Sequence, residues 1–444
     1  MADRWSAAQV EALAPDASSL SSARALASGV NWSEANHARG APPTLWGLCR
    51  GSGAKPYQTC VDLVEPAYKC SCPSRKFPCK HALGLLLLWS AGSVVETDAA
   101  DAPEWVREWH AGRAGRAATR EARKATERGE TTPAQERAAQ RRAAQRADRV
   151  NAGLAELDRW LLDQVRGGIA GLDRVGYRHF DQMAARLVDS QAPGAAGDVR
   201  RLAGVAASGA GWPGRMLADL GLLRLLTGAY RRIADLPEPL AATVRGRVGF
   251  TVPTEQVLAA PPVRDEWQVI GVRDEFDERL VTRRSWLIGR GTCRPALVLS
   301  FAMPGQPLAA DLVVGTAVDA DLCFYPGAQP LRAVAAHRHD APQPFTEPSP
   351  SAGVEAALTG YADAVAGDPW LTQWPVLVRG TLVRGSQWQL VDAAGDALPL
   401  HPAAGEPWRL LAAGGGHPTV LAGEWGPAGL RPLTCFVDGE AVRA

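Results

Sequence analysis

Four residues of this chain have types and spacings that suit a metal ion. Cys70 and Cys72 are separated by one residue, and after six more come Cys79 and His81, again separated by one, in "YKCSCPSRKFPCKHALGLLLLW". Three thiolates and an imidazole are a common donor set for tetrahedral zinc, with Zn–S near 2.3 Å and Zn–N near 2.0–2.1 Å. A dithiol redox site would need C-x-x-C within an alternating strand and helix pattern; the spacing here is C-x-C and that pattern is missing. Four good donors in so short a span leave no position open to water, so the expected site is structural and closed.

The elements that must position these donors are legible around them. Residues one apart on an extended chain point to the same side, so Cys70 and Cys72 can share an ion at a strand end. Ser74 to Pro78 then loops back, with Pro73 and Pro78 stiffening its ends. Cys79 and His81 fall at the first turn of a helix with body "ALGLLLLW", where free amides and the positive end of the dipole favour thiolate. The string "VEP" between "YQTCVDL" and "AYKCSC" makes a tight hairpin connection. Lys69, Arg75, Lys76 and Lys80 offset the net −1 of such a centre and form a basic rim.

The pattern C-x-C…C-x-H resembles the SWIM zinc finger, and "CSCPSRKFPCKHALGLLLLW" is similar to its bacterial branch, as is the preceding "LWGLCRGSGAKPYQTCVDLVEPAY". The resemblance covers about residues 40 to 90. It implies one structural Zn2+ on Cys70, Cys72, Cys79 and His81, in a ββα-like module that binds DNA or protein and does not catalyse. Bacterial proteins of this kind are often encoded beside MoxR-type AAA+ ATPases and von Willebrand A-type proteins, which implies a protein partner in such an assembly.

Composition bounds the rest. The 444 residues exceed what one hydrophobic core usually serves. Lys+Arg 48 against Asp+Glu 47 gives no global attraction to polyanions, so any nucleic-acid contact must come from a local patch. Neither a signal peptide at the start nor an apolar run of membrane-spanning length is visible, so the expected location is cytoplasmic, without membrane contact. Five of the eight cysteines lie from Cys49 to Cys79, a clustering that in a reducing compartment points to metal more than to disulfides.

The expected fold class is α+β and multidomain: an N-terminal ββα-like finger module, a central helical unit and C-terminal antiparallel β-rich units. The expected divisions are a finger domain over 1–92 and a charged linker with the start of a long helix over 93–150. A helical domain follows over 151–240, then a β-rich domain over 245–345 and a small β domain over 350–444. From Arg113 to Arg149 eleven basic residues face five acidic ones, with few large apolar residues. A mobile linker is preferred there over an arm that tracks phosphates. Beyond "TPAQ", Val150, Leu154, Leu157, Leu161 and Val165 recur at helical spacing.

Other candidates are weaker. Cys49 and Cys60 read as buried strand thiols, and Cys293, Cys323 and Cys435 as core. "HRHD" (337–340) reads as a solvated loop, while "RGSGAK" lacks the spacing of a phosphate loop and "AGGGHP" reads as a turn. No catalytic triad order, zinc-protease motif or dinucleotide fingerprint is present. The expectation is a non-enzymatic zinc-binding interaction protein whose finger docks a protein or nucleic acid. The alternatives are an enzyme with its site in 245–444, or a DNA-binding protein.

Overall fold

The computed structural model describes residues 4–39, 42–51, 55–64, 66–74, 76–127, 133–277, 280–304, 306 and 308–444. It is α+β, with helices and three mostly antiparallel sheets. The first unit carries α1 (Ala7–Glu11), α2 (Ala17–Leu26), β1 (Trp32–Ala38), β2 (Thr44–Cys49), β3 (Tyr57–Asp62), β4 (Ala67–Cys70), α3 (Lys80–Ser90), β5 (Val95–Thr97) and α4 (Glu104–Glu127). Its sheet runs β4-β3-β2-β1-β5, antiparallel except for β5 on β1. The ββα unit of β3, β4 and α3 is thus embedded in a larger sheet.

That sheet is covered on both sides, and the pleat shows how. Leu45 pairs with Val61 and Trp46 with Cys60 across β2 and β3. Leu45 and Val61 pack with α3 (Leu83, Leu85, Leu86, Leu88), whereas Trp46 and Cys60 pack with Val106 and Trp109 of α4. Strands buried on both faces read as continuous apolar runs, as "TLWGLC" does. Every residue of α3 from His81 to Trp89 is buried, as befits a helix apolar all round. Gly84 lets α2 approach closely, since a Cβ there would lie 3.0 Å from the Leu26 Cβ.

The segment expected as a charged linker differs from that expectation. From Glu104 it is helical, because Val106 and Trp109, three residues apart, suffice to seat the first turns of α4 on the sheet. Asp62 secures them, accepting from Arg113 at 3.1 Å. Nor is the first unit self-contained. Trp5 Nε1 donates to the Pro342 carbonyl, Gln9 Nε2 to that of Gly315 and the Tyr68 hydroxyl to that of Ala310. Ala310 and Val313 complete the finger's own core.

His37 gives this unit a pH dependence. It is buried with its ring edge-on to Trp89, and burial holds its pKa below the ordinary value. The folded state therefore prefers the neutral ring, and its contribution is present above pH about 6.5 and lost as pH falls below it. Urea midpoints at pH 7.5 and 5.5 are expected to fall further in the wild type than in His37→Gln; equal slopes would reject this role.

The helical unit comprises α5 (Pro133–Arg166), α6 (Tyr177–Asp189), α7 (Pro193–Ala206), α8 (Trp212–Arg231) and α9 (Glu238–Val248). Pro133 opens α5, where a missing N–H costs nothing. Val150, Leu154, Leu157 and Leu161 form the buried stripe, but Val165 is exposed because α5 runs past the core there. The core includes Val244 and Val248 of α9, so this packing extends past the expected limit at 240. Trp370 joins it from much later in the chain, with Nε1 donating to the Leu222 carbonyl.

After the short α10 (Thr254–Leu258) come β6 (Val263–Phe276), β7 (Val281–Gly289), β8 (Pro295–Ala302), β9 (Thr316–Phe324), β10 (Arg332–Arg338) and β11 (Gln343–Pro344). β10 pairs with β8 in parallel and with β9 antiparallel, while β9 also pairs with β6. The order β6-β7-β8-β10-β9 therefore closes into a five-stranded barrel. Next come α11 (Val354–Gly367) and a last sheet of β12 (Trp374–Arg384), β13 (Trp388–Val391), β14 (Ala397–Pro399), β15 (Thr419–Gly426), β16 (Gly429–Val437) and β17 (Glu440–Arg443), with α12 (Trp408–Gly414) before β15. One face of that sheet holds Val376, Val378, Leu421 and Cys435 over its own core. The other turns Leu377, Val420, Ala422 and Leu433 into the barrel's. No described helix is long and apolar enough to cross a membrane.

Candidate metal centre

The ladder of β3 and β4 sets the first pair of donors. Thr59 faces Cys70 across the strands, and one residue on the Ser71 N–H donates to the Gln58 carbonyl. The Gln58 N–H answers to Ser71 Oγ at 2.9 Å, which holds the chain extended into Cys72. The second pair comes from α3. Cys79 is its N-cap, with φ −76° and ψ 165° and no side-chain capping hydrogen bond of its own. His81, in the first turn, is buried and its ring lies 4.8 Å from that of Tyr57.

The four donor atoms lie within 4.8 Å of one another, and Cys70 Sγ is 3.8 Å from His81 Nδ1. Zn–S bonds of about 2.3 Å at tetrahedral angles place sulfurs about 3.8 Å apart. The cluster therefore fits one structural zinc ion, held by Cys70, Cys72, Cys79 and His81. It is the one such group among the described residues.

Around the sulfurs stand donors that the sequence pattern does not reveal. Thr59 Oγ1 lies 3.2 Å from Cys70 Sγ, and the N–H groups of Cys72 and Ser74 point at Cys70 and Cys72 respectively. The Cys79 thiol donates to Cys70 and, with lesser help from His81, Thr59 and the Cys72 amide, brings it down to about 3. That same bond, with burial, pushes Cys79 upward. Four side-chain donors fill a tetrahedral ion, so the centre holds structure and leaves no site for a reacting water.

The basic rim is divided by the fold. Lys80 is exposed at the first turn of α3, beside the cluster. Lys69 is exposed but pairs in register with Cys60 and so faces the opposite side of the sheet, towards α4. Lys76 forms an ion pair with Asp16 at 2.9 Å and donates to Ser18, and these contacts hold the Asp16 carboxyl far below the usual range. Arg75 lies outside the described residues.

Most remaining candidates sit where expected. Cys49 and Cys60 are buried, and burial raises both thiols, Cys49 to about 11. Cys323 and Cys435 are core, but Cys293 is exposed at φ 55° in the tight turn between β7 and β8. "HRHD" begins within β10; His339 pairs with Asp321 at 3.0 Å and stacks edge-on with His337. The tip of "RGSGAK" lies outside the described residues, and "AGGGHP" turns through Gly415 and Gly416 at positive φ.

One cleft in the C-terminal half gathers titratable groups. It measures about 390 Å³ and lies where α9, the outer face of β7 and β8 and the segment before β12 meet, lined in part by Arg247, Arg284, Arg332 and Asp368. Each is engaged: Arg247 with Asp368, Arg284 with Glu424, and Arg332 over the Tyr325 ring.

Two family models match the chain. The SWIM zinc finger covers residues 60–89, which hold all four donors, and the SWIM-associated four-helix bundle domain covers 145–248, from within α5 to the end of α9. No curated protein and no solved structure matches it.

Proposed function

The chain is a SWIM-type zinc finger protein, and from that premise we propose that it works as a non-catalytic docking protein whose zinc loop and α3 N-terminus engage a partner protein. The observation that carries this reading is the closed centre beside an exposed Lys80, on a finger anchored to the barrel by Tyr68 and α1. A finger so held presents a fixed surface, which lowers the ordering cost of binding. Lys76 is engaged by Asp16 and Lys69 lies on the far side of the sheet, which leaves Lys80 as the described rim cation beside the cluster. An acidic protein surface is the better match. The partner proposed is a MoxR-type AAA+ ATPase or a von Willebrand A-type protein encoded alongside, and the compartment is the cytoplasm.

The test is binding of each purified candidate to the full chain. Lys80→Glu is expected to weaken binding at least tenfold with zinc content unchanged, and Lys69→Glu to leave it within twofold. Failure of both candidates to bind the wild type rejects these partners; equal loss in the two variants rejects the assigned face. The enzymatic reading draws on the cleft at Arg247, Arg284 and Arg332. It would gain only if a small molecule protected that cleft from hydrogen exchange.

A further inference from the structure

A second interface, independent of the finger, stands on the helical bundle. Arg142, Gln145, Arg146 and Arg149 recur three or four residues apart, so they share one face of α5. Together with Val188, Gln191 and Pro193 at the turn from α6 to α7, they line an open groove of about 730 Å³. Its lining holds three guanidinium groups and two amides, and no carboxylate. Asp148 and Asp189, the nearest acids in sequence, are exposed and do not line it.

The arginines differ in how they are held. Arg146 is anchored: its guanidinium lies 4.3 Å from the Phe250 ring centroid and Nη2 donates to the Gly249 carbonyl at 3.2 Å. Its Nε is buried without an acceptor. Arg142 and Arg149 are exposed and form no ion pair among the described residues. Most other bundle arginines near acids have found them, as in Arg186–Glu156, Arg200–Asp181 and Arg224–Asp158. Uncompensated positive charge therefore collects on this face, although the whole chain is nearly neutral.

We propose that this face of α5 binds the phosphate backbone of double-stranded nucleic acid without reading its bases. Arg142 to Arg149 spans about 10 Å of helix, at 1.5 Å per residue, a reach suited to consecutive phosphates of one strand. No aromatic ring lines the groove, whereas single strands are usually held by rings on which bases stack. A duplex backbone suits a row of guanidinium groups with no stacking ring beside it. The expected salt dependence follows from three contacts: log K falls against log salt with a slope of about −3.

The test uses the full, zinc-loaded chain, a 20-base-pair duplex and a single strand of equal length, with binding followed by anisotropy between 50 and 200 mM salt. The wild type is expected to bind several unrelated duplexes equally, and more tightly than the single strand. Arg142→Glu with Arg149→Glu should weaken duplex binding more than tenfold at 50 mM. Arg142→Lys with Arg149→Lys should retain most of it, and Lys80→Glu should not alter it. Circular dichroism of the glutamate variant should match the wild type, since both sites are exposed and unpaired. The proposal is overturned if the duplex does not bind at 50 mM salt, if the glutamate pair leaves binding unchanged, if Lys80→Glu abolishes it, or if single strands bind better. Loss of protein docking in Lys80→Glu with duplex binding intact would show that the two surfaces stand or fall separately.

Discussion

Cys79→Ser is expected to empty the metal centre and melt the finger. Zinc per chain should fall from one to none, and amide exchange should become fast through residues 57–90, while the bundle core around Val199 and Leu226 stays protected. Zinc contributes roughly 10–16 kcal/mol of apparent folding free energy in small modules. Burying a leucine contributes about 1.5–3 kcal/mol, so Leu83, Leu85, Leu86 and Leu88 together are worth about as much as the ion or less. The leucines cannot replace the metal, because a net stability of about 5–15 kcal/mol has to survive the chain's conformational entropy. Cys49→Ser is the control: Cys49 is equally buried in the same core but lies outside the donor set, so zinc should stay at one per chain. A Cys79→Ser protein with full zinc and wild-type exchange would overturn the assignment.

The loss should not stop at the finger. Ala310 and Val313 of the barrel's long loop sit in the finger's core, and Tyr68 and Gln9 hold that loop by its carbonyls. Exchange at 308–315 is therefore expected to rise together with that of β4. Zinc on these donors closes the finger, and Tyr68 of β4 ties that finger to the barrel loop.

The centre was legible because all four donors lie within twelve residues, and one-residue spacings at a strand end and at a helix start already imply convergence. What supports the donors was not. Thr59 reaches Cys70 through strand register, and Lys76 is drawn off by Asp16, sixty residues away. The seating of α4 rests on Val106 and Trp109 inside a strongly charged run, where average composition conceals two decisive side chains. Val165 continues a periodic pattern past the end of its packing partner. The β-rich character of the C-terminal half was visible. Closure of the barrel depends on β10 lying parallel to β8, a long-range pairing with no local trace. Such contacts are specified by the sum of faces that need covering, not by any one segment.

The second large effect is expected at the seam between barrel and last sheet, where Glu424 of β15 is only 2% exposed. Its Oε1 accepts from Trp286 Nε1 at 2.7 Å and Arg284 Nε at 3.1 Å, and its Oε2 from Arg273 Nε at 2.9 Å. Arg431 stands nearby, its pKa lowered by burial and then by the charge of Arg273, so positive charge is already crowded there. Glu424→Ala leaves Arg284 without its carboxylate and Arg273 with Glu275 alone, and is expected to cost about 3–5 kcal/mol in urea unfolding. Glu424→Gln, which keeps an acceptor for Trp286 but no charge, should cost less. The cause can be separated from simple loss of volume. Glu424→Leu combined with Arg273→Met and Arg284→Met removes the charges together, and apolar replacements of a buried ion pair are often neutral or stabilising. The triple variant should therefore recover most of the loss. If Glu424→Ala costs under about 1 kcal/mol, or the triple variant is as unstable as the single one, the seam is held by packing of Leu433 against Gly271, where a Cβ would come within 2.7 Å, and not by this carboxylate.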